Sequence, residues 1–174
     1  MRIVDCPELR SSHPVIIVLM GVAGSGKSTV GKELAARLAW DFFDGDDFHP
    51  AVNVEKMKAG NALNDADRRP WLESLQRLIR ERLAKEKPAV LACSALKRAY
   101  RTSLLIDDRV RLVYLKADYD LINDRLRART VHYMNPSLLD SQFEALEEPE
   151  NALWINAQSS PGTIVEIIRR QFKL

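Results

Sequence analysis

Short, almost wholly apolar runs alternate along this chain with longer stretches in which apolar side chains return every three or four positions. The runs Val15 to Met20, Trp40 to Asp44, Ala89 to Cys93, Val110 to Leu115 and Ala152 to Asn156 read as strands. Strands that are apolar throughout need cover on both faces, so the alternation predicts an α/β fold: a parallel sheet with helices on either side. Val30, Leu34 and Leu38 form one helical stripe, and Leu72, Leu75, Ile79 and Leu83 a second. Asn64, with Asp67 three residues on, marks the start of that second helix, and Pro70 is tolerated in its opening turns but not deeper. Pro88 stops it near Lys87. Glu73 with Arg77 and Glu81 with Lys85 are i,i+4 pairs suited to its solvated side. Pro161 opens a last helix, which Ile164, Val165, Ile168 and Phe172 dock on the sheet.

A length of 174 residues fits one domain, with no linker, repeat or low-complexity segment in view. Residues 1–14 read as an N-terminal extension and 15–174 as the single domain. With 26 Lys+Arg against 24 Asp+Glu the net charge is +2, which argues against the broad positive face of a nucleic-acid binder and for a small ligand. Cys6 and Cys93 belong to no metal-binding cluster and read as free thiols in a reducing cytosol. Met1 to His13 lacks an apolar signal core, and the run after Pro14 is too short to span a bilayer, so neither secretion nor membrane insertion is expected.

Directly after the first apolar run, Gly21-Val22-Ala23-Gly24-Ser25-Gly26-Lys27-Ser28 fits the pattern G-x-x-x-x-G-K-S/T. Closely spaced glycines let such a loop turn its N–H groups inward around a phosphate, and the helix that follows offers its positive end to the same anion. In this reading residues Gly21 to Thr29 hold a nucleoside triphosphate; Lys27 reaches its outer phosphates, and the Ser28 hydroxyl ligates Mg²⁺.

The third apolar run ends in Ser94-Ala95-Leu96-Lys97, with no carboxylate to complete a metal site, so the acid must come from elsewhere. Phe42-Phe43-Asp44-Gly45-Asp46-Asp47 supplies it at a strand's carboxyl end, the edge where open α/β sheets bind ligands. Asp44 is expected to hold Mg²⁺ through water, Asp46 to face an acceptor hydroxyl, and Gly45 to let substrate approach the backbone. The other reading is an acidic turn that caps the next segment. Phosphoryl transfer also needs cations that close over the nucleotide. Arg125 and Arg129 share a helix face in a lid around 123–145, unless they are a solvated basic face; Arg127 points elsewhere.

Three further blocks carry a family likeness. Asp44 to Pro50 with Asn53, Lys56-Met57 and Gly60, then Leu63 to Leu72, closely resemble the small phosphate-loop gluconokinases, as do Cys93 to Arg101 and Ser141 to Pro149. The resemblance spans roughly Val15 to Pro149. It implies a fold similar to shikimate and adenylate kinases, a five-stranded parallel sheet in the order 2-3-1-4-5 with a helical lid. It also implies ATP-dependent phosphorylation of the 6-hydroxyl of D-gluconate, in a protein that is commonly a cytosolic dimer.

Gluconate is a polyol with one carboxylate, so its site needs a cation and several hydrogen-bonding groups. Arg68, Lys97 and Arg101 are candidate cations; His49, Lys56 and Gln142 are candidate polar partners. His49 could instead cap a helix, and Arg68 could pair with Asp65 or Asp67. Trp71 reads as packing. The chain departs from the family at Val131, where glycine is usual, and at Ala62, where proline is frequent and its loss should leave the chemistry untouched. By fold analogy adenine lies near Asn156-Ala157-Gln158. The competing readings are another acceptor, such as shikimate or a nucleoside monophosphate, and a nucleotide switch without transfer.

Overall fold

The computed structural model describes residues 15–127 and 136–174, with only the backbone of 136–138. Segment 1–14, with Cys6, and segment 128–135, with Arg129 and Val131, lie outside the described residues. Five strands build one sheet: β1 Ile16–Met20, β2 Asp41–Asp44, β3 Ala89–Ala92, β4 Val110–Lys116 and β5 Leu153–Asn156. Their order is β2-β3-β1-β4-β5, and every pairing is parallel. All five expected strands are present in the expected order. Among the described residues no helix is long and apolar enough to cross a membrane.

The continuous apolar character of β1 follows from its place at the centre of the sheet. Ile17 and Leu19 point to one face, where they pack with Leu34 of α1 (Lys27–Leu38) and Ile164 and Ile168 of α7 (Pro161–Phe172). Ile16, Val18 and Met20 point to the other, against Trp71, Leu75, Ile79 and Leu83 of α3 (Asp65–Ala84). Each such side chain contributes roughly 1.5–3 kcal/mol of burial, so the sheet is held from both sides.

The start of α3 is a reciprocal capping box: Asn64 accepts the Asp67 N–H at 2.8 Å, and Asp67 accepts the Asn64 N–H at 2.8 Å. Its end falls at Ala84, earlier than Lys87, because Glu86 turns left-handed at φ 49°. Arg82 then donates to the carbonyls of Lys87 and Pro88 and closes the turn. The buried stripe runs through Trp71 rather than Leu72, which is only half-buried. Strand β2 begins at Asp41, since Ala39 ends α1 in a left-handed conformation and carries Trp40 around the turn.

Between β2 and α3 lie two elements that the apolar pattern did not reveal, a 3-10 turn at Gly45–Phe48 and α2 at Ala51–Lys58. Both are too short and polar to show a helical stripe. The other helices are α4 (Arg98–Leu104), α5 (Tyr119–Arg127) and α6 (Pro136–Ala145).

Candidate active site

At the carboxyl end of β1 the chain turns through Gly24 and Gly26, both at positive φ (79° and 98°), into the first turn of α1. A side chain would strain either position. No side chain caps α1, so its opening N–H groups remain available to an anion. Ala23, Gly24, Gly26, Lys27, Ser28 and Thr29 line a cavity of about 540 Å³. Gly21, Val22 and Ser25 are buried behind it. The Val22 carbonyl accepts the Lys27 ammonium at 3.0 Å and the Ser25 N–H at 3.2 Å, and the Gly21 N–H reaches the Ser94 carbonyl at 3.3 Å. These bonds set the loop against the end of β3.

Asp44, the last residue of β2, accepts the Ser28 hydroxyl on one oxygen at 2.6 Å and the Asp46 N–H on the other at 3.2 Å. One carboxylate therefore joins the phosphate loop to the segment that carries Asp46. Asp44 and Asp46 both line the cavity with Lys27. Although Asp46 is accessible from the cavity, the enclosing walls desolvate it and push its carboxyl above the usual range; the Lys27 charge opposes that shift. Burial likewise lowers the Lys27 ammonium, against the attraction of Asp46, Cys93 and Asp44. The Cys93 thiol is buried and pushed up to about 12, so it is an inert neighbour.

Gly45 has a different task from the one its sequence context suggests. A Cβ there would sit 2.8 Å from the Ala92 carbonyl, so glycine lets β2 cross close to β3 instead of admitting substrate. The Trp71 indole N–H donates to the Gly45 carbonyl at 2.7 Å, and its ring stacks on His49 at 4.7 Å and 9°. His49 lines the cavity, and its Nδ1 is buried with no partner among the described residues. Burial lowers its pKa, Asp46 opposes this and Arg68 adds to it, which favours the neutral ring.

The expected cations separate into two groups. Arg68 lines the cavity, donates to the Leu63 carbonyl and lies 5.8 Å from the centre of the Tyr100 ring; neither Asp65 nor Asp67 pairs with it. Lys56, Lys97 and Arg101 do not line the cavity. Lys56 is paired with Asp67 at 2.6 Å, and Lys97 with Asp65 at 2.7 Å. Arg101 is buried and donates to the carbonyls of Ala95 and Leu96 at 3.0 and 2.8 Å, a structural task within the turn after β3. Arg125 is also absent from the lining: it bonds the carbonyls of Gly24 and Ala157 at 3.3 and 2.6 Å, tying the loop to the segment after β5. Arg127 is exposed.

Gln142 reaches the cavity from α6, and its Oε1 accepts the Ala23 N–H at 2.7 Å. The segment after α6 is fastened by Glu147, which accepts the Arg98 N–H, and by Glu148, paired with Lys116 at 3.0 Å. Met57 of α2, Tyr100 of α4 and the loop residues Leu63 and Leu96 also line the cavity, and sequence reading missed them because single apolar residues in loops and short helices look like ordinary packing. Ala62 lines the cavity as well, so that departure falls within the site.

This geometry has close counterparts among known proteins. A family model described as an AAA domain matches residues 16–149. A gluconokinase of Gluconobacter oxydans is 43% identical over 164 residues, covering 92% of each chain. The crystal structure of a gluconokinase from Sinorhizobium meliloti superposes with a TM-score of 0.83 at 37% identity, over 92% of this chain and 93% of that one. A shikimate kinase from Aquifex aeolicus, at 20% identity, TM-score 0.58, and 91% and 96% coverage, shares the fold alone. With a phosphate loop, an acid-bearing second strand and this extent of likeness, the chain belongs to the gluconokinase family of phosphate-loop kinases.

Proposed function

We infer that this protein transfers the terminal phosphoryl group of ATP to the 6-hydroxyl of D-gluconate, giving 6-phospho-D-gluconate and ADP. The observation that carries the reading is that Asp46 and Lys27 share one cavity and are coupled electrostatically. Asp46 orients the acceptor hydroxyl and takes its proton as oxygen bonds to phosphorus and the bond to the leaving ADP breaks. Its raised pKa makes it a better base than an ordinary aspartate. Lys27 and the open N–H groups of α1 draw charge from the transferring group. Arg68 holds the gluconate carboxylate, and His49 meets the polar groups around it.

The all-oxygen pair Ser28 and Asp44, already 2.6 Å apart, suits a hard divalent cation. Mg²⁺ held by the Ser28 hydroxyl and, through water, by Asp44 supplies neutralisation of phosphate charge. Arg125 and Arg129 serve as lid cations in the segment 123–145, where Arg125 exchanges its carbonyl partners for phosphate oxygens. Family membership supports a cytosolic homodimer acting on a small molecule, with neither nucleic acid nor membrane as partner; sedimentation of the purified chain checks the dimer.

The test is ADP release over a panel of D-gluconate, other sugar acids, shikimate and nucleoside monophosphates. Gluconate should stimulate release most. Stimulation by shikimate or a monophosphate instead would transfer the reading to that acceptor, and release independent of any acceptor would overturn it.

A further inference from the structure

We propose that Gln142 donates a hydrogen bond to the transferring phosphoryl group, held in that orientation by the phosphate loop itself. The proposal rests on the kinase reading and deepens it by adding a residue to the reacting site. A backbone N–H can only donate, so the bond from Ala23 obliges the Gln142 amide to present its oxygen to the loop and its NH₂ to the other side. That nitrogen has no partner among the described residues and is not buried. Ser141, Gln142 and Ala145 line the cavity from one face of α6, which sets the Gln142 amide beside the space shared by Lys27 and Asp46.

A neutral donor suits this position. Burial already taxes the Lys27 charge, and an amide adds a donor for developing negative charge without the desolvation cost of a further cation. The arrangement also links the two halves of the site, because the loop that grips the nucleotide fixes the side chain that faces the reacting atoms.

Two variants of the full chain separate this role from simple support of the loop. Gln142→Met keeps length and bulk but neither donates nor accepts, while Gln142→Glu still accepts from Ala23 and cannot donate when ionised. Calorimetric titration with ADP and with a non-hydrolysable ATP analogue, alongside kcat at saturating substrates and the thermal midpoint, gives the readout. The proposal expects the methionine variant to retain ADP affinity, and to lose about 10- to 100-fold in both analogue affinity and kcat, the scale of a hydrogen bond to a charged group. The glutamate variant should lose at least as much kcat with an unchanged midpoint. Equal losses of ADP and analogue affinity with kcat intact, or a fully active glutamate variant, would overturn it. If the methionine variant does not fold, the glutamate variant decides alone. The nucleotide titrations need no acceptor, so absence of gluconate turnover in the wild type would sink the acceptor reading and leave this one to be judged separately.

Discussion

The Trp71 indole N–H donates to the carbonyl oxygen of Gly45, the residue immediately before Asp46, at 2.7 Å. One side chain of the long helix thereby sets the height of the acidic turn above the sheet, and the same ring supports His49 from behind. Trp71→Phe keeps an aromatic ring but leaves the buried carbonyl without its donor, which costs about 1–3 kcal/mol. The thermal midpoint should fall by roughly 2–10 °C. Because misplacement of a reacting group is expensive, kcat should fall several-fold while the KM for ATP holds. A variant with a lowered midpoint and wild-type kcat would reduce Trp71 to packing.

Asp46→Asn should lower kcat by about 10²-fold or more, the range for a positioned acid or base. The pH profile supplies an independent check. Since the Asp46 carboxyl titrates above the ordinary aspartate value of 3.8, the acid limb of the wild-type rate should lie above that value and vanish in the variant. The stability effect has the opposite sign to the activity effect. A raised folded-state pKa favours the native state below the unfolded value and forfeits that advantage as pH rises through the folded one, so at neutral pH the charge brings no stability. The asparagine variant should therefore melt no lower than the wild type at pH 7, and a large drop would mean that Asp46 is a structural acid paired with Lys27.

How far the sequence could be read divides along a physical line. Apolar runs located the strands, most sharply the central β1 and β3, which are buried on both faces, and the Asn64–Asp67 pair announced a helix start that needs no tertiary context. The form of the phosphate loop and the placement of Asp44 and Asp46 at the end of β2 were legible because glycine spacing and an apolar run ending in acids mark them locally. Cations were not. Arg68, Lys97 and Arg101 are equivalent in a one-dimensional reading, and what separates them is the reach of Asp65 to Lys97 and the burial of Arg101 against two carbonyls, both tertiary facts. Gly45 was misread for the same reason, since its neighbour is the Ala92 carbonyl of another strand.

Arg101 should behave as a structural residue. Its Nη1 donates to the Ala95 and Leu96 carbonyls, and Ala95 sits at φ 44°, a conformation that needs such support. Arg101→Met leaves the Ala95 carbonyl without its donor and the Leu96 carbonyl with only the Glu147 N–H, at a cost of about 1–3 kcal/mol, a fall of roughly 2–10 °C in thermal midpoint. Below that midpoint the KM for gluconate should stay close to wild type. A stable variant with a much higher gluconate KM would return Arg101 to the list of substrate cations.

Arg68 and Lys97 give the sharpest comparison, because both are cations beside Tyr100 and only one faces the cavity. Lys97 is committed to Asp65 in a pair open to solvent, and such pairs contribute about 0–1 kcal/mol. Lys97→Gln should therefore change the gluconate KM less than about fivefold, with Asp65 still accepting the Tyr100 hydroxyl. Arg68→Gln removes the charge that would meet the substrate carboxylate, and should raise the gluconate KM about 10- to 100-fold while leaving the KM for ATP alone. An uncharged analogue of gluconate separates charge recognition from shape: Arg68→Gln should barely alter its weak binding, since no carboxylate is left to lose. If Lys97→Gln instead produced the larger effect on gluconate, the Asp65 pair would have to open on substrate binding, and the carboxylate would belong at the start of α4 rather than beside α3.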